Sequence, residues 1–89
     1  MKFMTTYALK PGVRDAALDR FKKTGGVPPA GVKFLGRWHK AAGNYGFILV
    51  QTDDAKLLGQ WALGWNDLIV LEYFPVVDDA EFIEVLGRQ

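Results

Sequence analysis

An α+β fold is what this sequence predicts, and three observations predict it. Four short segments alternate apolar and polar residues, or run apolar on both faces, at the period of two that belongs to strands. Segments between them repeat apolar residues at helical spacing instead. The breaks hold the glycines, prolines and asparagine that turns require. The order β-α-β-β-α-β plus a short C-terminal helix suits a ferredoxin-like sheet with helices on one face.

Each element has its own justification. Residues 2–10 set Phe3, Thr5, Tyr7 and Leu9 on one face and Met4, Thr6 and Ala8 on the other, and Pro11-Gly12 ends the run. Val13, Ala17, Leu18 and Phe21 then recur as one helical face, with Lys22 and Lys23 in the last turn and Gly25-Gly26 as the stop. After the Gly- and Pro-rich connector 25–31, residues 32–40 divide by parity. Val32, Phe34, Gly36 and Trp38 form one set, Lys33, Leu35, Arg37 and His39 the other. A Gly43-Asn44 turn leads to residues 45–52, apolar on both faces as a central strand is. Thr52 or Asp53 is the expected cap of a second helix with the stripe Leu57, Leu58, Trp61, Ala62, Trp65 and Leu68. Residues 69–77 form a last strand whose Pro75 marks an edge or an end. Asp78-Asp79 can cap a final helix through Phe82, Ile83, Val85 and Leu86, stopped by Gly87.

Composition bounds the chemistry. With 89 residues there is room for one domain and one modest core. Cysteine and serine are absent and histidine occurs once, which excludes disulfides, thiolate sites, serine triads and a His-cluster metal site within one chain. No signal peptide or membrane span is legible, so the expected setting is cytoplasmic, with no membrane partner. Nine basic and two acidic side chains occupy residues 1–40, and two basic and eight acidic ones residues 41–89, so the halves carry +7 and −6. Two interleaved βαβ halves would mix these charges in one sheet. Opposite-charge contacts across a dimer are a further expectation.

Because both parities of the strands carry large apolar groups, the sheet face opposite the helices needs a cover. One solution is a second copy of the chain, closing a homodimeric α/β barrel. The other is single-stranded RNA stacking on aromatic side chains. Tyr45, Gly46, Phe47 and Ile48 match half of the RNA-recognition motif, but Gly43 stands where that motif has a cation and Val50 where it has an aromatic. Nucleic acid is therefore not the expected partner.

Seven residues are candidates for chemistry. His39 is the one side chain that ordinarily titrates near neutrality and is a candidate general base, with Arg37 to stabilise a developing enolate or phenolate. Glu72, alone in an apolar strand, is a candidate proton carrier or a cross-dimer ion pair. Tyr7 and Tyr45 are candidate donors in an apolar pocket, with Trp38 and Trp65 as its walls. Trp38 and His39 lie on opposite parities, so one regular strand cannot turn both into the same cavity. No metal or other cofactor is expected.

The ordered set Phe47-x-Leu49-Val50-x-Thr52-Asp53-Asp54, Trp61-x-x-x-Trp65-x-Asp67-Leu68 and Pro75-Val76-Val77, with Lys2-Phe3-Met4 and Gly36-Arg37-Trp38, resembles a bacterial family known as a domain of unknown function. That family is similar to the dimeric α/β-barrel superfamily. The resemblance implies a homodimer with facing sheets. It also implies an activity among cofactor-free oxygenation, haem degradation, isomerisation, cyclisation or stress response, without choosing one. The resulting expectation is a barrel that binds a small planar apolar or phenolic compound, as an enzyme of proton transfer, cyclisation or oxygenation. A non-catalytic structural or regulatory dimer and an RNA binder are the alternatives.

Overall fold

The computed structural model describes residues 1–89. Alternation yields β1 (Lys2–Leu9), and the helical repeat yields α1 (Arg14–Thr24), closed by Gly25 at φ +72°, a left-handed conformation open to glycine. There follow β2 (Lys33–His39), β3 (Tyr45–Gln51), α2 (Ala55–Leu63), β4 (Ile69–Val76) and α3 (Asp79–Gly87). The four strands form one antiparallel sheet in the order β2-β3-β1-β4, the ferredoxin-like α+β arrangement. β3 is central as its apolar run demands, and Pro75 lies on edge strand β4, where a missing N–H costs least.

Two boundaries and one strand register differ from expectation for local reasons. The N-cap of α2 is Asp54, whose carboxylate accepts from the Lys56 N–H. Thr52 instead donates its hydroxyl to the Gly31 carbonyl and accepts from the Asp54 N–H, which locks the β3–α2 corner. α2 ends at Leu63, so Trp65 and Leu68 pack from the following turn, not from the helix. The third difference is a bulge in β2: Phe34 pairs with Val50 but Gly36 with Leu49, leaving Leu35 as the extra residue. Beyond it the parity flips. Phe34, Arg37 and His39 share the helix-facing side with Val50, Ile48 and Gly46, while Trp38 pairs with Phe47 on the other side. Trp38 and Phe34 are thus not on one face, as strict alternation of residues 32–40 has them.

The helix-covered face carries two small clusters. Val32, Ile48, Val50, Leu58 and Trp61 seat α2, and Ala17, Leu68 and Ile69 seat α1. Tyr7 and Trp65 touch both clusters from the gap between them. The opposite face is open. Across its strands run Trp38, Phe47, Thr6 and Glu72 in one row, and Gly36, Leu49, Met4 and Phe74 in the next. Trp38 is 56% exposed there and Phe74 43%.

The charge halves do mix within one chain. Arg20 grips Asp67 through two 2.8 Å bonds, and Lys2 reaches Asp78 at 2.9 Å and Glu81 at 3.2 Å. The second contact anchors α3, whose first turn is also closed by a capping box between Asp78 and Glu81. The Glu81 N–H and then Lys2 hold the Asp78 carboxyl below its usual 3.8, while Asp78 and then Glu81 push the Lys2 ammonium above 10.5. The lowered carboxyl contributes stability that is present above pH 3.8 and lost as pH falls through its folded value; the raised ammonium contributes stability that is present below pH 10.5 and lost as pH rises through its own. The first turn of α3 is therefore expected to stay formed between these limits and to fray outside them, read from the chemical shift of the Glu81 amide. An unchanged shift down to full protonation of the carboxylates would count against the anchor.

The rest of α3 has no cover. None of its residues is buried, with Phe82 51%, Ile83 66% and Leu86 55% exposed. The radius of gyration is 14.6 Å, against about 12 Å for a compact chain of this length. No helix is long and apolar enough to cross a membrane.

Candidate functional site

Between α1 and the sheet, in the gap spanned by Tyr7 and Trp65, lies a cavity of about 290 Å³. Its walls are apolar: Leu18 and Phe21 from α1, Trp61 and Trp65 from α2 and its following turn, Ile69 and Leu71 from β4. Three polar side chains reach it, Tyr7, Arg37 and His39. They come from two strands that are not neighbours, and the strand between them explains how they meet.

Tyr7 on β1 and His39 on β2 both pair with Gly46 of β3. A β-carbon at Gly46 would lie 2.2 Å from the Tyr7 ring and 2.6 Å from the Trp38 carbonyl oxygen. The missing side chain is the slot through which the Tyr7 ring crosses the central strand. Its hydroxyl lies 2.5 Å from His39 Nδ1. Burial pushes the Tyr7 phenol above its ordinary value and the nearby Arg37 charge partly opposes this, so the phenol stays protonated at neutral pH. With Nδ1 as the acceptor of the bond from Tyr7, a neutral imidazole carries its proton on Nε2. The Phe21 ring meets the imidazole edge-on at 5.8 Å.

Arg37 is held from the other side. It donates from Nη1 to the Gly25 carbonyl at 3.1 Å and from Nη2 to the Gly26 carbonyl at 2.5 Å. Its guanidinium lies 5.3 Å from the Phe21 ring and 5.0 Å from the Phe34 ring. Gly26 has φ +59°, and a β-carbon there would stand 3.1 Å from Phe21 and 3.2 Å from Nη1. The Gly25-Gly26 helix stop thus also serves as the seat of the guanidinium. Burial lowers the Arg37 pKa from its usual value.

A family described as a domain of unknown function (DUF3303) matches residues 1–89. The chain belongs to the DUF3303 family. No curated protein and no solved structure matches it.

Of the seven candidates in this DUF3303 chain, four gather and three do not. Tyr7, Arg37, His39 and Trp65 line the cavity. Trp38, Tyr45 and Glu72 project from the open face of the sheet, with Tyr45 edge-on to Phe47 at 5.4 Å. The physical reason is the pleat: Tyr45 and Glu72 are odd steps from Gly46 and Leu71, and the bulge leaves Trp38 on their side. A cavity bounded by facing sheets was the expected home for either set. The polar set lies instead beneath the helices of a single DUF3303 chain. Gly46, Gly26 and Phe21 complete the site, and sequence reasoning gave them no such role. A glycine inside an apolar strand was the available signal for Gly46.

Proposed function

We propose that this protein binds a small planar compound in the cavity under α1 and acts on it by proton transfer. The observation that carries the reading is the Tyr7–His39 hydrogen bond at an otherwise apolar cavity. An acidic O–H or activated C–H placed at the Tyr7 oxygen gives its proton to that oxygen as the phenolic proton passes to Nδ1. The imidazole becomes imidazolium and the substrate an anion, beside which Arg37 supplies positive charge. Trp61, Trp65 and Phe21 suit a flat ring, and about 290 Å³ is near the lower bound of about 300–1,000 Å³ for small-molecule sites, which favours one ring over a fused system.

Tyr7→Phe tests the dyad. Because His39 is the one histidine, its imidazole nitrogen signals need no sorting by mutation. In the native protein they are expected to show the Nε2–H tautomer, and in Y7F a mixture of tautomers with the fold retained. Identical nitrogen shifts in the two proteins would remove the dyad.

The same reading makes the protein a homodimer that pairs through the open sheet face. That face exposes Trp38, Phe47 and Phe74, and α3 exposes Phe82, Ile83 and Leu86, apolar side chains of the kind that interface cores bury. Lys2, on the open-face parity, ties the first turn of α3 to that side of the sheet. Glu72 at edge strand β4 would then meet a basic side chain of the second copy. RNA on the same aromatics is the less favoured occupant, because Glu72 stands within the face and Lys2 is already paired. A cytoplasmic setting belongs to the same proposal, as does the absence of a cofactor.

A further inference from the structure

Lys2 and Arg20 are partly buried cations, and each has carboxylates within 3.2 Å. Arg37, as withdrawn from water as they are, has none: its partners are two backbone carbonyls and two aromatic rings. Those carbonyls occupy two of five N–H donors and orient the guanidinium without neutralising it. None of the 14 residues lining the cavity is acidic. A cation taken partly from water beside an apolar cavity is stabilised most by an anion that arrives with its own apolar body.

We propose that the cavity takes a small aromatic carboxylate, its carboxylate paired with the Arg37 guanidinium and its ring lying among Phe21, Trp61, Trp65 and Leu71. This rests on the small-molecule reading above and gives it a charge. A single guanidinium without a ring of backbone N–H groups suits a monoanion and not a phosphate dianion. Arg37 is in this role a binding residue that selects for charge.

The test compares benzoate and phenylacetate with benzamide, which matches benzoate in shape without its charge. Binding to the native protein is followed by isothermal titration and by quenching of tryptophan fluorescence, to which Trp61 and Trp65 contribute from the cavity walls. The carboxylates are expected to bind at least about tenfold more tightly than the amide. That preference is expected to vanish in Arg37→Gln and to persist in Lys33→Gln, a surface control. If amide and carboxylate bind equally, the charge assignment falls while the cavity reading stands. If none of the three binds, both fall. Tight binding of inorganic phosphate would overturn the monoanion assignment. Should R37Q fail to fold, the carboxylate–amide comparison in the native protein decides by itself.

Discussion

Replacing Gly46 with alanine is expected to destabilise the domain by about 1–3 kcal/mol, the range for overpacking a filled site, and to abolish the Tyr7–His39 bond. The added carbon would stand 2.2 Å from Tyr7 Cε2 and 2.8 Å from Cζ, and neither the ring nor the Trp38 carbonyl behind it can move freely. The ring is wedged between the two core clusters, and the carbonyl belongs to the β2–β3 ladder. The ring must therefore swing off β3, taking the hydroxyl from Nδ1. Two measurements separate the consequences. Denaturant unfolding gives the stability loss, and the His39 nitrogen shifts are expected to match those of Tyr7→Phe. Binding of the cavity probes should weaken with them. A Gly46→Ala protein of native stability with an intact Nε2–H tautomer would mean that the slot does not hold the ring.

If the protein pairs through its open face as proposed, introducing glutamate into α3 at Phe82 and Leu86 is expected to convert the proposed dimer to a monomer, weakening self-association by roughly a hundredfold or more. The physical ground is the state of the helix itself. Nine residues are too few for a helix to hold its shape alone in water, where even about 12–15 are marginal. Yet α3 presents Phe82, Ile83 and Leu86 to solvent and buries nothing. Its capping box and the Lys2 contacts secure only the first turn. In the proposed dimer the open face of a second copy supplies a packed surface for the rest. Light scattering across a concentration series gives the mass, with Glu84→Gln as a variant that leaves the apolar stripe intact. A native protein that is monomeric at high concentration would overturn the pairing. If that monomer also bound single-stranded RNA with a steep salt dependence, the open-face aromatics would belong to nucleic acid instead.

Much of the architecture was legible because it rests on local chemistry. The Phe3/Thr5/Tyr7/Leu9 alternation, the Gly25 stop, the apolar run 45–52 and the Asp78 cap each express a backbone preference within a few residues. All of them lie in the structure where the pattern has them. The end of α2 was less legible. Trp65 and Leu68 continue the helical stripe, but they reach the core from a turn, since a hydrophobic position is satisfied by burial whatever the backbone does.

The candidate site was legible as residues and not as a place. Tyr7, Arg37, His39 and Trp65 could be named from their chemistry, as could Trp38, Tyr45 and Glu72. Nothing in the order of letters 32–40 separates the first group from the second. Leu35 decides that matter by slipping out of the β2–β3 ladder, and a bulge is a property of two paired strands, absent from either alone. Gly46 is a similar case: its importance comes from a ring on one neighbouring strand and an imidazole on the other, 39 and 7 positions away in the chain.

By itself, then, the sequence determined the α+β class, the strand and helix order, the mixing of its basic and acidic halves and the short set of groups able to move a proton. Those follow from periodicity, capping and composition, which act over a few residues. Tertiary structure alone decided which of those groups share a cavity, which face of the sheet stays open and that α3 leaves its apolar stripe uncovered. Those depend on register and on contacts between distant segments, where a shift of one residue exchanges the two faces of a strand.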